Sequence, residues 1–190
     1  MEKWHQCTIT ASNFKRVVSC STGHKGLLKS MFDGVSLDHV KAVAHGQRHD
    51  ADGVEAYKAT KRSRNEDVAV HPCGLVLHTQ YRFLGASPDG LVLDNSSSPR
   101  LGLLEVKCPQ AAFKKSLSVT EACSDPSFCC ELVDGTPSLR GNHAYYFQVQ
   151  GQMAISGVKW CDFFVWIGLS SHLERIYATD SFGSKPFYQD

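Results

Sequence analysis

The stretch that most constrains the fold is residues 84–109, LGASPDGLVLDNSSSPRLGLLEVKCP. Two apolar runs, 90–93 and 101–106, read as strands, and Asp94-Asn95-Ser96-Ser97-Ser98-Pro99 between them is a turn-forming link. Residues two apart on a strand point to the same face. Glu105 and Lys107 therefore project together, with Leu104 and Val106 on the opposite, core-facing side. If the runs pair as a hairpin, Asp89 near the start of the first lies across from Glu105 and Lys107 near the end of the second. Two carboxylates and an ammonium then gather at one end of a sheet.

Neighbouring carboxylates resist ionising together unless a cation offsets them. Oxygen ligands with room for water suit Mg²⁺ or Mn²⁺. A lysine beside such a metal can orient or deprotonate an attacking water, whose pKa the metal also lowers. This is a plan for hydrolysing a phosphodiester. Taken alone, Glu-x-Lys is equally a solvated cross-strand pair and Pro-Asp-Gly a routine turn, so the remaining motifs decide.

With 190 residues and 42% hydrophobic content, the chain reads as one globular domain over residues 1–190. Its formal charge of +1 gives a nucleic-acid partner no global support. Such a partner needs a local basic surface, for which Lys25, Lys29, Lys58, Lys61, Arg62, Arg64, Lys114, Lys115 and Arg140 are available. Eight cysteines match no metal template, Cys129 and Cys130 being adjacent, and read as reduced apolar fillers. A zinc-structured interaction domain is therefore the weakest reading. The first ten residues lack the apolar segment of a secretory signal, and the longest apolar run, 163–167, is too short to span a membrane. The expectation is an intracellular protein, cytoplasmic or nuclear, with no membrane contact.

In chain order, Thr10 or Ser12 is placed to cap a short helix carrying Phe14, Val17 and Val18, and a helix start is also an anion site. Residues 23–43 read as two short helices around a turn at Asp33-Gly34. In 45–60, Gly46, Asp50, Gly53 or Val54, and Tyr57 fall on one helical face, leaving Asp50 as either a further metal ligand or a surface acid. His45 and His49 read as exposed or capping. Lys61-Arg62-Ser63-Arg64 reads as a basic turn, followed by strands at 68–70, 75–77 and 81–84. Residues 110–140 look irregular, with a hairpin signal at Asp134-Gly135; Lys114, Lys115 and Arg140 are their candidate phosphate contacts. Residues 142–157 read as a helix capped by Asn142 and stopped by Gly157, with Gln148 and Gln152 on the face of Tyr145 and Gln150 nearly opposite. Strands at 160–167 and 174–178 follow, the first apolar on both faces and so central, and then a loose tail at 183–190.

With those motifs in view, the chain resembles the YqaJ-type viral recombinase domains, the family of phage lambda exonuclease within the PD-(D/E)xK nuclease superfamily. The likeness runs from Thr8 to about Ile176. Its motifs are Ile9-Thr10-Ala11-Ser12, the helix with Gly46, Asp50 and Tyr57, Ser87-Pro88-Asp89-Gly90, Glu105-Val106-Lys107-Cys108-Pro109, and Gln148-Val149-Gln150, in the family's order. The resemblance implies an α/β fold with a restriction-endonuclease-like core, a mixed central sheet flanked by helices. It implies Mg²⁺, with Mn²⁺ as substitute and two ions in all, at Asp89, Glu105 and the carbonyl of Val106, with Asp50 and Gln148 completing the site. Lys107 would position the nucleophilic water, and Ser12 and Ser87 would hold the 5′-phosphate of a DNA end. It further implies 5′-to-3′ digestion of duplex DNA in recombination or processing, and a trimeric assembly.

Two positions depart from the family pattern. Asp50 stands where Glu is usual, shortening the reach by roughly one C–C bond, about 1.5 Å. No Arg precedes Thr10-Ala11-Ser12, where His5 is the nearby residue, so bidentate capture of a phosphate is missing. These departures carry the alternative expectation, a DNA-binding or assembly module that keeps the fold with little or no turnover.

Overall fold

The computed structural model describes residues 8–32 and 41–179, without the side chains of 32 and 41–48. The turn expected at Asp33-Gly34, residue His5, the side chain of His45 and the tail at 183–190 lie outside the described residues. In chain order the elements are β1 (Ile9–Thr10), a 3₁₀ turn (Ala11–Asn13), α1 (Phe14–Val18), α2 (His24–Phe32), α3 (Lys41–Ser63), β2 (Val68–His71), β3 (Val76–Leu77), β4 (Leu84–Ala86), β5 (Gly90–Asp94) and β6 (Leu101–Lys107). They continue with α4 (Gln110–Lys114), α5 (Val119–Ala122), β7 (Cys130–Val133), β8 (Thr136–Leu139), α6 (Ala144–Ser156), β9 (Trp160–Trp166) and β10 (Ser171–Tyr177).

The main sheet has the order β10-β9-β6-β5-β2. The β9–β6 pair is parallel and the other pairs are antiparallel, so the sheet is mixed, as the resemblance implies. The hairpin expected at 90–106 forms, with Gly90 opposite Leu104 and Leu93 opposite Leu101. Its turn is locked by Asp94, whose carboxylate accepts from Ser96 N at 2.9 Å, Ser96 Oγ at 2.6 Å and Ser97 Oγ at 2.7 Å. Short Asx contacts of this kind are why Asp and Ser make turns.

Both faces of β6 are buried, which corrects the expectation of one core face and one chemical face. On one side Leu104, Val106, Val92, Trp160 and Phe164 pack under α3 around Tyr57. On the other, Leu103, Cys161, Phe163 and Val165 pack with Val149 and Met153 of α6. Glu105 lies on this second face among apolar neighbours, only 2% exposed. A third cluster joins Ala11 and Phe14 to Leu84, Ala86 and Ile155, which ties the N-terminal turn to α6.

Other expectations shift in detail. Tyr81 to Phe83 lie before β4 rather than in it, and Lys61 sits inside α3 rather than in a basic turn. Lys61 is 3% exposed and pairs with Glu66 at 2.6 Å and Asp162 at 3.2 Å, which removes it from the candidate basic surface. The segment 110–140 contains two short helices and the hairpin signalled at Asp134-Gly135, where both residues have positive φ. The cap of α6 is His143, not Asn142: its Nδ1 accepts from Tyr145 N at 3.2 Å, while Gly157 ends the helix with φ 73°. The seven described cysteines are all free thiols.

Gly53 is needed where α3 crosses β6. A Cβ built there would lie 2.5 Å from Val106 Cγ1 and 3.3 Å from Cys108 Sγ. Alanine improves helix propensity by about 1 kcal/mol, but overpacking a filled core costs about 1–3 kcal/mol. Gly53→Ala is therefore expected to destabilise the chain by about 1 kcal/mol net, read as a lower urea midpoint at unchanged m-value. A raised midpoint would show that α3 can move off β6 freely.

Candidate active site

The hairpin register brings the three predicted groups together. Asp89 precedes β5 and is bound twice to β6: its N–H donates to Leu104 O at 3.0 Å, and its Oδ2 accepts from Val106 N at 2.7 Å. That second bond seats the Asp89 carboxylate between Glu105 and Lys107. Lys107 Nζ is 2.5 Å from Glu105 Oε1 and lies 4.6 Å over the Tyr145 ring. The Val106 side chain packs beneath Gly53, so the backbone of this strand is held from above and below.

Helix α6 completes the arrangement from the face of Glu105. Gln148 Nε2 donates to Glu105 Oε1 at 2.5 Å, and Gln152 Nε2 donates to Glu105 Oε2 at 2.7 Å. The two glutamines stand one turn apart, which is why they reach the same carboxylate. Gln150, on the opposite face, serves the structure instead, donating to Tyr177 O at 2.9 Å and accepting from Thr179 N at 3.0 Å. The shared face of Gln148 and Gln152 is legible in the sequence, but assigning Gln152 to the centre needs the structure. So does assigning Tyr145, on whose ring the lysine rests.

The other predicted residues fall at different distances from this centre. Asp50, on α3, is close enough that the charges of Lys107 and Glu105 both act on it; burial, the largest influence, raises its pKa. Ser12 and Ser87 line one cleft of about 130 Å³ together with Thr10, Ala11, Gln148 and Gln152. Neither Thr10 nor Ser12 makes the expected side-chain cap; instead their hydroxyls share a hydrogen bond of 2.9 Å. Lys114 is exposed at the end of α4. Arg140 is engaged within the β7–β8 region, donating to Glu131 Oε2 at 2.9 Å and Phe128 O at 3.1 Å. His49 stacks on Phe113 with ring centroids 5.1 Å apart, so it is neither a cap nor a bare surface group.

The electrostatics follow from burial. The Asp89 carboxyl is pushed up to about 7 by its own desolvation and then by the negative charge of Glu105, against the pull of Lys107 and the Val106 N–H. Burial works to lower the Lys107 pKa, but Glu105, Tyr145 and Asp89 together outweigh it and hold the ammonium above its ordinary value. Lys107 is therefore a cation at neutral pH. A carboxyl held at about 7 gains from any cation brought beside it, and the donors are all oxygen, which fits a hard divalent ion. Among the described residues, no group of three or more His, Cys, Asp or Glu side chains lies close enough to form a site unaided. Asp89 and Glu105 are the carboxylates on offer, with water to complete the shell of such an ion.

This shift predicts a pH effect. The folded pKa of Asp89 exceeds its ordinary value of 3.8, so between about pH 4 and 7 the folded state keeps a proton that the unfolded state releases. The stabilisation from this group is complete below that window and is lost as pH rises through about 7. In metal-free buffer, wild-type stability is therefore expected to fall relative to Asp89→Asn between about pH 5 and pH 8. Urea denaturation of both proteins reads the difference; a constant gap across that range would mean that Asp89 is ionised throughout.

The chain is similar to several known proteins. Over 142 residues, 72% of the chain, it is 28% identical to "Uncharacterized protein R354" of Acanthamoeba polyphaga mimivirus, and it spans 22% of that protein's length. Among solved structures, an alkaline exonuclease (LHK-Exo) from Laribacter hongkongensis is similar at a TM-score of 0.61 and 23% identity, over 95% of this chain and 84% of that one. LHK-Exo in complex with dAMP is similar at a TM-score of 0.64 and 24% identity, over 96% and 85%. These two likenesses show a shared fold. The profile of the YqaJ-like viral recombinase domain matches residues 2–159, most of the sequence, and the chain belongs to that family.

Proposed function

We propose that this chain is a metal-dependent deoxyribonuclease that digests duplex DNA from its ends, 5′ to 3′, in recombination or DNA processing. The observation that carries the reading is the convergence of Asp89, Glu105 and Lys107 at one end of the β5–β6 hairpin, with Gln148 and the Ser12–Ser87 cleft alongside. The family membership and the fold shared with an alkaline exonuclease support it. Mg²⁺, or Mn²⁺ in its place, would be held as a pair of ions by Asp89, Glu105 and the Val106 carbonyl, with Asp50 contributing from α3. Such ions polarise the phosphoryl oxygens and lower the pKa of bound water.

The chain's own residues do the rest. Because Lys107 is held as a cation, its part is to orient the attacking water and offset the charge that builds on the phosphate, rather than to remove a proton. Gln148 fixes the Glu105 carboxylate. Ser12 and Ser87 receive the DNA terminus, and Lys114 is an exposed cation for the backbone beyond it. A homotrimer encircling the duplex, in an intracellular setting, accords with the family resemblance. No helix among the described residues is long and apolar enough to cross a membrane.

One observation favours a second reading, a binding module without turnover: the described acids form no self-sufficient metal cluster, and Asp50 is the shorter acid. The test is incubation with Mg²⁺ of a linear duplex labelled at each end, beside closed circular DNA and Glu105→Ala protein. Digestion of the linear strand from its 5′ end, abolished in the variant, is the expected result. Nicking of the circle would make the chain an endonuclease. No cleavage even with Mn²⁺, together with no calorimetric metal binding, would leave the binding module.

A further inference from the structure

A second cavity, of about 380 Å³, adjoins the centre from the end of α6 opposite to the Ser12–Ser87 cleft. The cleft meets the helix at Gln148 and Gln152, whereas this cavity meets it at the cap His143 and at Tyr145. The two glutamines hold Glu105, and Lys107 rests over the Tyr145 ring. The reacting groups therefore lie between the two spaces. Pro109, two residues past Lys107, also lines the cavity.

Its lining combines two chemistries. Leu117, Phe128 and Tyr145 supply apolar and aromatic surface, and the His143 and Tyr145 rings meet edge to face at 4.6 Å. Lys115 is an exposed cation of the lining. Burial, and then the positive charges of Lys15, Arg140 and Lys107, lower the His143 pKa. The imidazole is therefore neutral at pH 7; its Nδ1 accepts from Tyr145 N, so its hydrogen is on Nε2. The acid of the lining, Asp125, is taken up by Ser127, whose N–H and Oγ donate to it at 2.8 and 2.7 Å. Aromatic surface beside several positive charges suits a nucleotide, whose base stacks while its phosphate meets the cations. We propose that this cavity is the subsite for the nucleotide on the 3′ side of the scissile phosphodiester, its base received against Leu117, Phe128 and Tyr145 and its own 3′-phosphate held by Lys115. This deepens the nuclease reading above, on which it rests. The strand's terminus lies in the Ser12–Ser87 cleft, its first phosphodiester at Asp89, Glu105 and Lys107, and its second nucleotide here.

The experiment uses the full 190-residue chain and 5′-phosphorylated duplexes of one sequence. The cut strand is unmodified, abasic at its second nucleotide, or abasic at its eighth. Release of the first nucleotide is measured in Mg²⁺, and binding is measured separately by fluorescence anisotropy in Ca²⁺. Wild type is expected to lose about tenfold in kcat/KM when the second base is missing, the worth of one stacked base, and to be unchanged when the eighth is missing. Ala111→Trp fills the cavity from the exposed surface of α4, and in it the penalty for the missing second base is expected to vanish. No penalty in wild type, an equal penalty at both positions, or an undiminished penalty in folded Ala111→Trp protein would overturn the proposal. If Ala111→Trp fails to fold, Lys115→Ala decides, with a neutral methylphosphonate as the linkage after the second nucleotide. That linkage is expected to slow wild type about threefold, the worth of one exposed charge contact, and Lys115→Ala not at all. The same slowing in both proteins overturns the proposal. If no duplex is cut, about tenfold weaker binding of the second-position abasic duplex in Ca²⁺ upholds the cavity and removes the nuclease reading. Equal binding of all three duplexes, or no binding, overturns the proposal.

Discussion

Lys107→Ala is expected to lower DNA hydrolysis about 10²–10⁴-fold, the usual worth of a positioned polar or acid–base group. The reason is local. Lys107 ends β6, and its ammonium is set 2.5 Å from Glu105 Oε1 and over the Tyr145 ring, so its position is defined before any substrate arrives. Removing it also leaves the buried Glu105, 2% exposed, without its cationic partner and with only the Gln148 and Gln152 amides as donors. The loss should therefore show both as slower turnover and as weaker calorimetric binding of Mg²⁺ at neutral pH. Thermal denaturation alongside guards against misfolding. A folded Lys107→Ala protein that cleaves at the wild-type rate would remove Lys107 from the mechanism.

The second large effect is on stability and sits across the sheet from the chemistry. Asp162 of β9 is fully buried; it accepts from Tyr57 OH at 2.7 Å and from Arg175 Nε at 2.7 Å, and lies 3.2 Å from Lys61 Nζ. Arg175 in turn donates to Asp94 at 2.9 Å and stacks 3.7 Å over Trp160. The network thus joins α3, the hairpin turn and both C-terminal strands. Asp162→Ala would leave Lys61 and Arg175 short of their shared counter-charge in a buried place. Breaking such a pair from one side costs about 3–5 kcal/mol, a large share of the roughly 5–15 kcal/mol that keeps a domain folded. The expected result is a sharply lowered urea midpoint, and Asp162→Asn is expected to be lowered as well, because its NH2 sets a donor against the Tyr57, Arg175 or Lys61 donors that the carboxylate oxygens accept from. A midpoint within error of wild type would mean that water replaces the carboxylate.

These two effects differ in how far each is legible from residue order. The alternation Leu104-Glu105-Val106-Lys107 places acid and lysine on one side of a strand, and the Asp94–Ser97 turn returns the chain so that Asp89 meets them. Both are local consequences of strand period and Asx chemistry. Gln148 and Gln152 share a helical face for the same kind of reason. The structure then departs from these local rules where distant segments compete for one space. Lys61 leaves the basic surface because Asp162, far along the chain, waits under α3. Arg140 is drawn to Glu131 and the Phe128 carbonyl by the β7–β8 hairpin. Residues 81–83 are kept out of β4, whose strand begins at Leu84.

What the sequence determined by itself was therefore the set of chemical groups and their short-range geometry: the hairpin, the same-side Glu105 and Lys107, and the glutamine face of α6. Period and turn chemistry act over a few residues, so they can be read from neighbours. What only the tertiary structure decided was partnership. Glu105 became a buried carboxylate because α6 covers its face; Asp89 was lifted to about 7 because burial and Glu105 act on it together. Desolvation and through-space charge depend on what packs against a group, and packing brings together residues that no local pattern connects.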